Sequence, residues 1–459
     1  MSPIDEYLAA ETPRFEEELC ELLRIASVSA DPSRRADMAR AADWVAGHLG
    51  GLGLAAEVIP TSGHPLVYAE SLPVENGVTA LVYGHYDVQP PEPLDAWTSP
   101  PFEPTRRDGN LYARGATDDK GQMFTHIKGA EAWIRTEGRL PVNLKFIIEG
   151  EEEVGSRALE EYLAEHADRL ACDCVVISDS VQYGPGRPAI TYGLKGIAFF
   201  ELRLTGPKRD LHSGSFGGSV TNPANALARM LGALIDDRGR VQVPGFYDDV
   251  LPLTPEEREQ FAALDFDEAE YFRELGVEGA TGEEGYTALE RRWARPTYDI
   301  SGLGSGCGGE WTKTIIPATA VAKLSFRLVP NQDPKKIAAA LKGRLEELCP
   351  PGIRMELSDL HGSPGVLVPR DSPYVAAAAR AIKHAFGCRP VLTREGGSIP
   401  IVTAFHEALR ADTLLLGWGQ NDDNTHSPNE KFSLADFHRG IKASAKLWGE
   451  LAAVRPGNH

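Results

Sequence analysis

The chain has 459 residues, 42% hydrophobic and 25% charged, with 66 acidic against 47 basic side chains and a net charge of −19. The length has room for more than one domain, and the composition is that of an ordinary globular protein. An acidic balance without a basic block argues against nucleic acid and anionic membrane surfaces as partners. No apolar run approaches the ~18 residues that span a bilayer. The amino terminus is amphipathic and acidic, unlike a targeting peptide, so a cytoplasmic location is expected. Six scattered cysteines (Cys20, Cys172, Cys174, Cys307, Cys349 and Cys388) show no zinc-ribbon spacing and are read as reduced thiols.

In chain order, Ser2-Pro3 is a good helix start, and a helix to about Ile25 follows. A second helix, 34 to 49, should stop at Gly50-Gly51. Strands are expected near 56–59, 66–70 and 79–83, and the last runs straight into Gly84-His85-Tyr86-Asp87. A proline-rich loop follows, pinned by Trp97 and Phe102. Asp118 and Asp119 then lie where a helix should begin, with Thr117 as its candidate cap. Carboxylates are favoured there for structural reasons alone.

The run Leu144 to Ile148 has the length and character of a buried strand, and it breaks without a spacer into Glu149-Gly150-Glu151-Glu152-Glu153. Crowded carboxylates at a buried strand end repel one another unless a cation sits among them. The same arrangement recurs where Cys174–Ser178 ends at Asp179, and where Thr413–Leu416 leads to a loop containing His426. Open α/β sheets bind ligands at the carboxyl ends of their strands, so these residues are expected to converge. A set of oxygen and imidazole donors without cysteine suits zinc, manganese or cobalt. Spacing alone does not choose among the four glutamates.

After Lys195-Gly196 the pattern changes. Strands near 197–204, 318–329 and 353–357, with helices near 222–235 and 333–348, indicate a smaller α/β layer with one polar sheet face. It contains an acidic helical insert, roughly 253–295. From about Asp371 the first pattern returns. The expected fold is therefore α/β: a catalytic domain with a mostly parallel, helix-covered sheet, residues 1–195 and 369–459, interrupted by an inserted domain, 196–368.

With these residues assembled, the chain resembles the co-catalytic metallopeptidase family of carnosine dipeptidases, aminoacylase, acetylornithine deacetylase and succinyl-diaminopimelate desuccinylase, and within it the cytosolic dipeptidases. The matching stretches are YGHYDVQP, ARGATDDKGQ, EGEEEVGS, ISDS, TYGLKG, LHSGSFGG, FRLVPN, REGGSIP and NTHSPNEK, in order from residue 83 to 431. The resemblance implies two metal ions, zinc first, with manganese or cobalt as alternatives. His85 and Asp179 would hold one, Glu153 and His426 the other, and Asp118 would bridge them. Glu152 would be the general base, Asp87 would orient His85, and Asp119 would keep a backbone role at a cis peptide. The inserted domain would act as a lid and dimerise the chain. Its His212 would enter the partner subunit's site, Arg327 would clamp a substrate carboxylate, and Thr314 and Ser398 would line the pocket.

These implications would make the protein a metal-dependent dipeptidase acting on short peptides with a free terminal carboxylate. An N-acyl-amino-acid deacylase would use the same metals and base, and a non-catalytic metal-binding homologue would keep the fold.

Overall fold

The computed structural model describes residues 2–279, 282–308, 312–397 and 399–455. It forms two compact units: Met1–Tyr192, Val368–Thr393 and Ala404–His459 make the first, and Gly193–Leu367 with Arg394–Thr403 the second.

The first unit is built on a sheet whose strands run in the order Ala55–Ile59, Leu66–Glu70, Asn143–Glu149, Thr79–His85, Cys174–Ile177, Asp412–Gly417 and Ala189–Leu194. The four strands from Asn143–Glu149 to Asp412–Gly417 are mutually parallel, and the flanking pairs are antiparallel. Parallel strands covered on both faces read as continuous apolar runs. Cys174–Ile177 is buried throughout, as is all of Thr79–His85 beyond its first residue. Helices Pro3–Leu23, Arg35–Gly51, Lys120–Glu137, Pro373–Phe386 and Leu434–Ala452 supply the rest of this core.

Helix Lys120–Glu137 is the innermost, buried from Lys120 to Ala132. The Lys120 ammonium donates to the carbonyls of Leu22 (3.2 Å) and Ile25 (2.7 Å), satisfying acceptors at the end of the first helix. Two sequence expectations shift here. Thr117 is not the cap, because its hydroxyl donates to the Lys431 carbonyl and Asp423. The helix begins at Lys120 with Asp119 in the N-cap position, so the two aspartates do lie at its amino terminus. The second helix continues through Gly50-Gly51, and the left-handed turn falls at Gly53, φ 89°.

The second unit carries a four-stranded antiparallel sheet in the order Thr297–Ser305, Thr319–Leu328, Gly196–Thr205 and Arg354–Ser363. Ala322, Leu324, Phe326 and Leu328 face helices Pro223–Gly232 and Pro334–Leu348 in one core. Lys323, Ser325 and Arg327 alternate onto the polar face, as the pattern indicated. The edge strand Thr297–Ser305 escaped the sequence reading, because its glycines and serines lack the alternation that marked its neighbour. Among the described residues, the acidic insert is three short helices, Pro255–Ala262, Glu268–Glu274 and Ala288–Ala294. Buried Glu283 binds Arg295 through both oxygens, at 2.6 and 2.7 Å, so part of the acidity is internally matched.

Gly129 marks the closest approach of helices Lys120–Glu137 and Leu434–Ala452: a Cβ there would stand 2.7 Å from Ala445 N and from Ser444 Cβ. On an isolated helix Gly129→Ala would stabilise by about 1 kcal/mol. Here it should destabilise by about 1–3 kcal/mol, because the helices must separate. Denaturant midpoints at unchanged m-value measure this, and a more stable variant would contradict the packing.

Candidate metal centre

The parallel strands end side by side, and each end contributes to one cluster. His85 is the last residue of Thr79–His85, Asp179 follows Cys174–Ile177 by two residues, and the glutamate run follows Asn143–Glu149. The loop after Asp412–Gly417 brings His426, and the turn before Lys120 brings Asp118. The convergence expected from four strand ends is therefore present.

His85 Nε2 stands 3.2 Å from Asp118 Oδ1 and 3.9 Å from Asp179 Oδ2. His426 Nε2 stands 2.8 Å from Asp118 Oδ2 and 3.3 Å from Glu153 Oε2. His85, Asp118 and Asp179 thus form one group with metal-ligand spacing, and Asp118, Glu153 and His426 a second. Asp118 turns a different oxygen to each.

The surrounding contacts fix these side chains. His85 Nδ1 lies 3.1 Å from the Asp87 carbonyl and 3.3 Å from its carboxylate, which leaves Nε2 facing Asp118. The other Asp87 oxygen accepts from Glu153 N at 3.2 Å, so one buried carboxylate steadies a member of each group. Gln89 donates to Glu153 Oε2 at 2.7 Å. Asp119, joined to Asp118 by a cis peptide, accepts from the His85 backbone N–H at 3.2 Å.

Geometry also separates the four glutamates. Glu149 is buried and accepts from Tyr83 and Ser156, each at 2.8 Å. Glu151 accepts from His64 N and from Ala158 N in the first turn of helix Arg157–Leu170. It caps the helix in place of the N-cap residue Ser156, whose hydroxyl is turned to Glu149 instead. Glu153 meets His426, and Glu152 shares the field of His85, Asp179, Glu153 and Asp118.

That field is strongly negative. Burial pushes Glu152 up to about 8, with Asp179, Glu153 and Asp118 adding to the rise and His85 opposing it. Burial and Asp118 push Asp179 up to about 7. Burial disfavours charge on His85 as well, yet Asp118 and Asp87 raise its pKa well above the imidazole range. Bonds to Asp118 and Glu153 raise His426 to about 10. Burial would raise Asp118, but His426 and His85 hold it low.

The donor set fits divalent cations. Ligands ~2.1 Å from a tetrahedral ion stand roughly 3.4 Å apart, close to the separations within both groups. His85 Nε2 is wholly buried and makes no well-aligned hydrogen bond among the described residues, although Asp118 Oδ1 lies 3.2 Å away; a cation shared with Asp118 and Asp179 would satisfy it. A third group, Glu18, His48 and Glu131, also has ligand spacing. There the Lys128 ammonium already sits 2.6 Å from both His48 and Glu131 and pairs with Glu18, and the Arg14 guanidinium also pairs with Glu18 and Glu131, so two cations match the two carboxylates without a metal.

The residues assigned to substrate lie in the second unit. His212 is exposed, and its Nδ1 accepts from Gly214 N at 3.0 Å. Exposed Thr314 is tied to it through the bond from Ser213 N to the Thr314 carbonyl. Arg327 is half-buried on the polar sheet face. Ser398 lies outside the described residues. Sequence reasoning assigned nothing to Gln89 or Glu430, although both stand in the quoted motifs. Their partners are far away in the chain, so no local spacing could show them.

The family model for peptidase family M20/M25/M40 matches residues 81–450. A Cys-Gly metallodipeptidase of Schizosaccharomyces pombe is 32% identical over 458 residues, covering 96% of each chain. The solved structure of human carnosine dipeptidase 1 is 34% identical with a TM-score of 0.80, covering 98% of each chain. The M20 metallo-carboxypeptidase Sso-CP2 of Sulfolobus solfataricus is also 34% identical, with a TM-score of 0.83, covering 96% of this chain and 99% of its own. Agreement in sequence and fold over nearly the whole length means that the chain belongs to peptidase family M20/M25/M40.

Proposed function

We propose that the protein is a metal-dependent dipeptidase that hydrolyses short peptides with a free terminal carboxylate. The observation that carries this reading is the pair of ligand groups sharing Asp118, with Glu152 in the same field. The names of the relatives, a Cys-Gly metallodipeptidase and a carnosine dipeptidase, support the substrate class. Two divalent ions, zinc first with manganese or cobalt as alternatives, would be held by His85 with Asp179 and by Glu153 with His426, Asp118 serving both. Bound there, they would polarise the scissile carbonyl and lower the pKa of the attacking water.

The chain's own groups account for the proton transfers. As a water oxygen bonds to the carbonyl carbon, Glu152 accepts a proton from that water. It returns the proton to the amide nitrogen as the C–N bond breaks, because an unprotonated amine leaves poorly. Burial first, and then the neighbouring carboxylates, raise the proton affinity of Glu152, which suits a group that must both take and release a proton. Asp87 keeps His85 turned and supports Glu153. In the second unit, Arg327 would bind the substrate carboxylate with its fork of donors, and Thr314 and Ser398 would line that pocket. His212, on its exposed loop, would stabilise the developing oxyanion in the site of a second copy of the chain. The second unit would then act as lid and dimerisation domain, in a cytoplasmic homodimer.

A deacylase or a carboxypeptidase could use the same metal groups; the Sulfolobus relative carries the latter name. A panel of dipeptides, their C-terminal amides, longer peptides and N-acyl amino acids, each assayed with zinc, manganese and cobalt, separates the readings. Free dipeptides should be turned over best and amidated ones poorly. Arg327→Ala should raise KM for the free substrates, through loss of a contact worth about 1.5–3 kcal/mol. Preference for N-acyl amino acids or longer peptides would displace the dipeptidase reading.

Glu152→Gln should retain fold and metal content while activity drops ~10²-fold or more. Glu153→Gln should instead weaken metal binding. Metal analysis beside the assay distinguishes them, and reversed phenotypes would exchange the two roles.

His212→Ala should bind metal normally and turn over ~10²-fold more slowly. Mixed with Glu152→Gln, it should recover activity, since one site in each heterodimer would combine an intact base with an intact histidine. Heterodimers as inactive as both parents would rule out a contribution in trans.

A further inference from the structure

The loop that carries His426 is fastened to the turn that carries Asp118. Asn424, His426 and Asn429 have φ of 56°, 60° and 62°, in the left-handed region that is costly for residues with a Cβ. Such a loop persists only where its surroundings over-determine it. At one end, Asp423 accepts from Gln420 N at 2.7 Å and Thr117 Oγ1 at 3.0 Å, and pairs with Lys431 at 3.1 Å. At the other end stands Glu430, wholly buried. Its Oε2 accepts from Arg114 Nη1 at 2.8 Å and Gly115 N at 2.9 Å. Its Oε1 accepts from Thr117 N at 3.0 Å and Asp118 N at 3.1 Å.

All four partners are N–H donors, which suits a carboxylate and no neutral isostere. Two of them are the peptide groups leading into Asp118. Glu430 itself lies four residues beyond His426, whose Nε2 stands 2.8 Å from Asp118 Oδ2. A single buried carboxylate therefore bridges the backbones on which these two candidate ligands are mounted. Gly121 tightens the same turn, since a Cβ there would meet the Ala116 carbonyl at 1.9 Å.

We propose that Glu430 is a positioning residue for the Glu153–His426 metal site, setting the separation of Asp118 and His426; this rests on reading that cluster as a metal site. Gln is the discriminating substitution. It keeps the size of the side chain but turns an N–H toward donors on one side, breaking that pair of bonds.

The test is metal binding rather than turnover. Zinc alone is titrated into the full-length protein against a chromophoric chelator, and thermal midpoints are taken with chelator in excess. Wild type should bind two equivalents. Glu430→Gln should bind one equivalent normally and the other about 10–100-fold more weakly. That weakened equivalent should be the one that Glu153→Gln also weakens, and the double variant should lose little more than either single one. Glu430→Asp keeps the charge but withdraws it by one methylene, so it should lose affinity at the same equivalent, and it serves where the Gln variant does not fold. A lower thermal midpoint with both zinc affinities unchanged would overturn the proposal and leave Glu430 a purely structural anchor. A wild type that binds fewer than two equivalents would overturn the two-metal reading itself, and is recognised before any variant is made.

Discussion

Like-charge repulsion at one edge of a buried sheet is the constraint around which the first unit is arranged. Asp118, Asp179, Glu152 and Glu153 share one field with the imidazoles of His85 and His426, and burial raises the cost of charge on Asp118, Asp179 and Glu152. Such a cluster is stable only with added positive charge or bound protons, and the raised affinities of Glu152 and Asp179 express that demand. Divalent cations meet it with little rearrangement, since the ligand atoms already stand near coordination spacing. The contrast with Glu18, His48 and Glu131 is instructive. That group has similar spacing, but Lys128 and Arg14 supply the positive charge, so it is a structural ion network.

Holding such a cluster requires support of its own, and the chain provides it from behind. Asp87 supports His85 and Glu153, Asp119 supports the His85 backbone, and Glu430 and Asp423 join the loop of His426 to the turn of Asp118. Each support is a carboxylate bonded to N–H or O–H donors. Much of the local acidity is therefore scaffolding, and only part of it belongs to the candidate ligand groups.

The second unit follows a different plan: an antiparallel sheet with one face against helices and the other polar. Its acidic insert is not simply a solvated tail. Glu257 pairs with Arg394 where both are buried, and the Lys195 ammonium donates to the Arg291 carbonyl at 2.8 Å. The insert is thereby anchored to the start of the glycine-rich REGGSIP stretch, a connection that the acidic composition alone did not suggest.

The amino-acid sequence by itself determined the fold class and the residue types of the metal groups. Apolar runs that end in His, Asp or Glu are local signals, and parallel strands bring their ends to one edge. The resemblance then singled out Glu152 and Glu153, while in the structure Glu149 and Glu151 are engaged by Tyr83, Ser156, His64 and Ala158. Thr297–Ser305 stayed hidden because an edge strand needs little hydrophobic alternation of its own. The uses of Thr117, Gln89 and Glu430 were decided only by tertiary structure. Each makes its key bond to a residue 64 or more positions away. Contacts of that kind leave no periodicity in the chain; they exist only once the strand ends have been brought together.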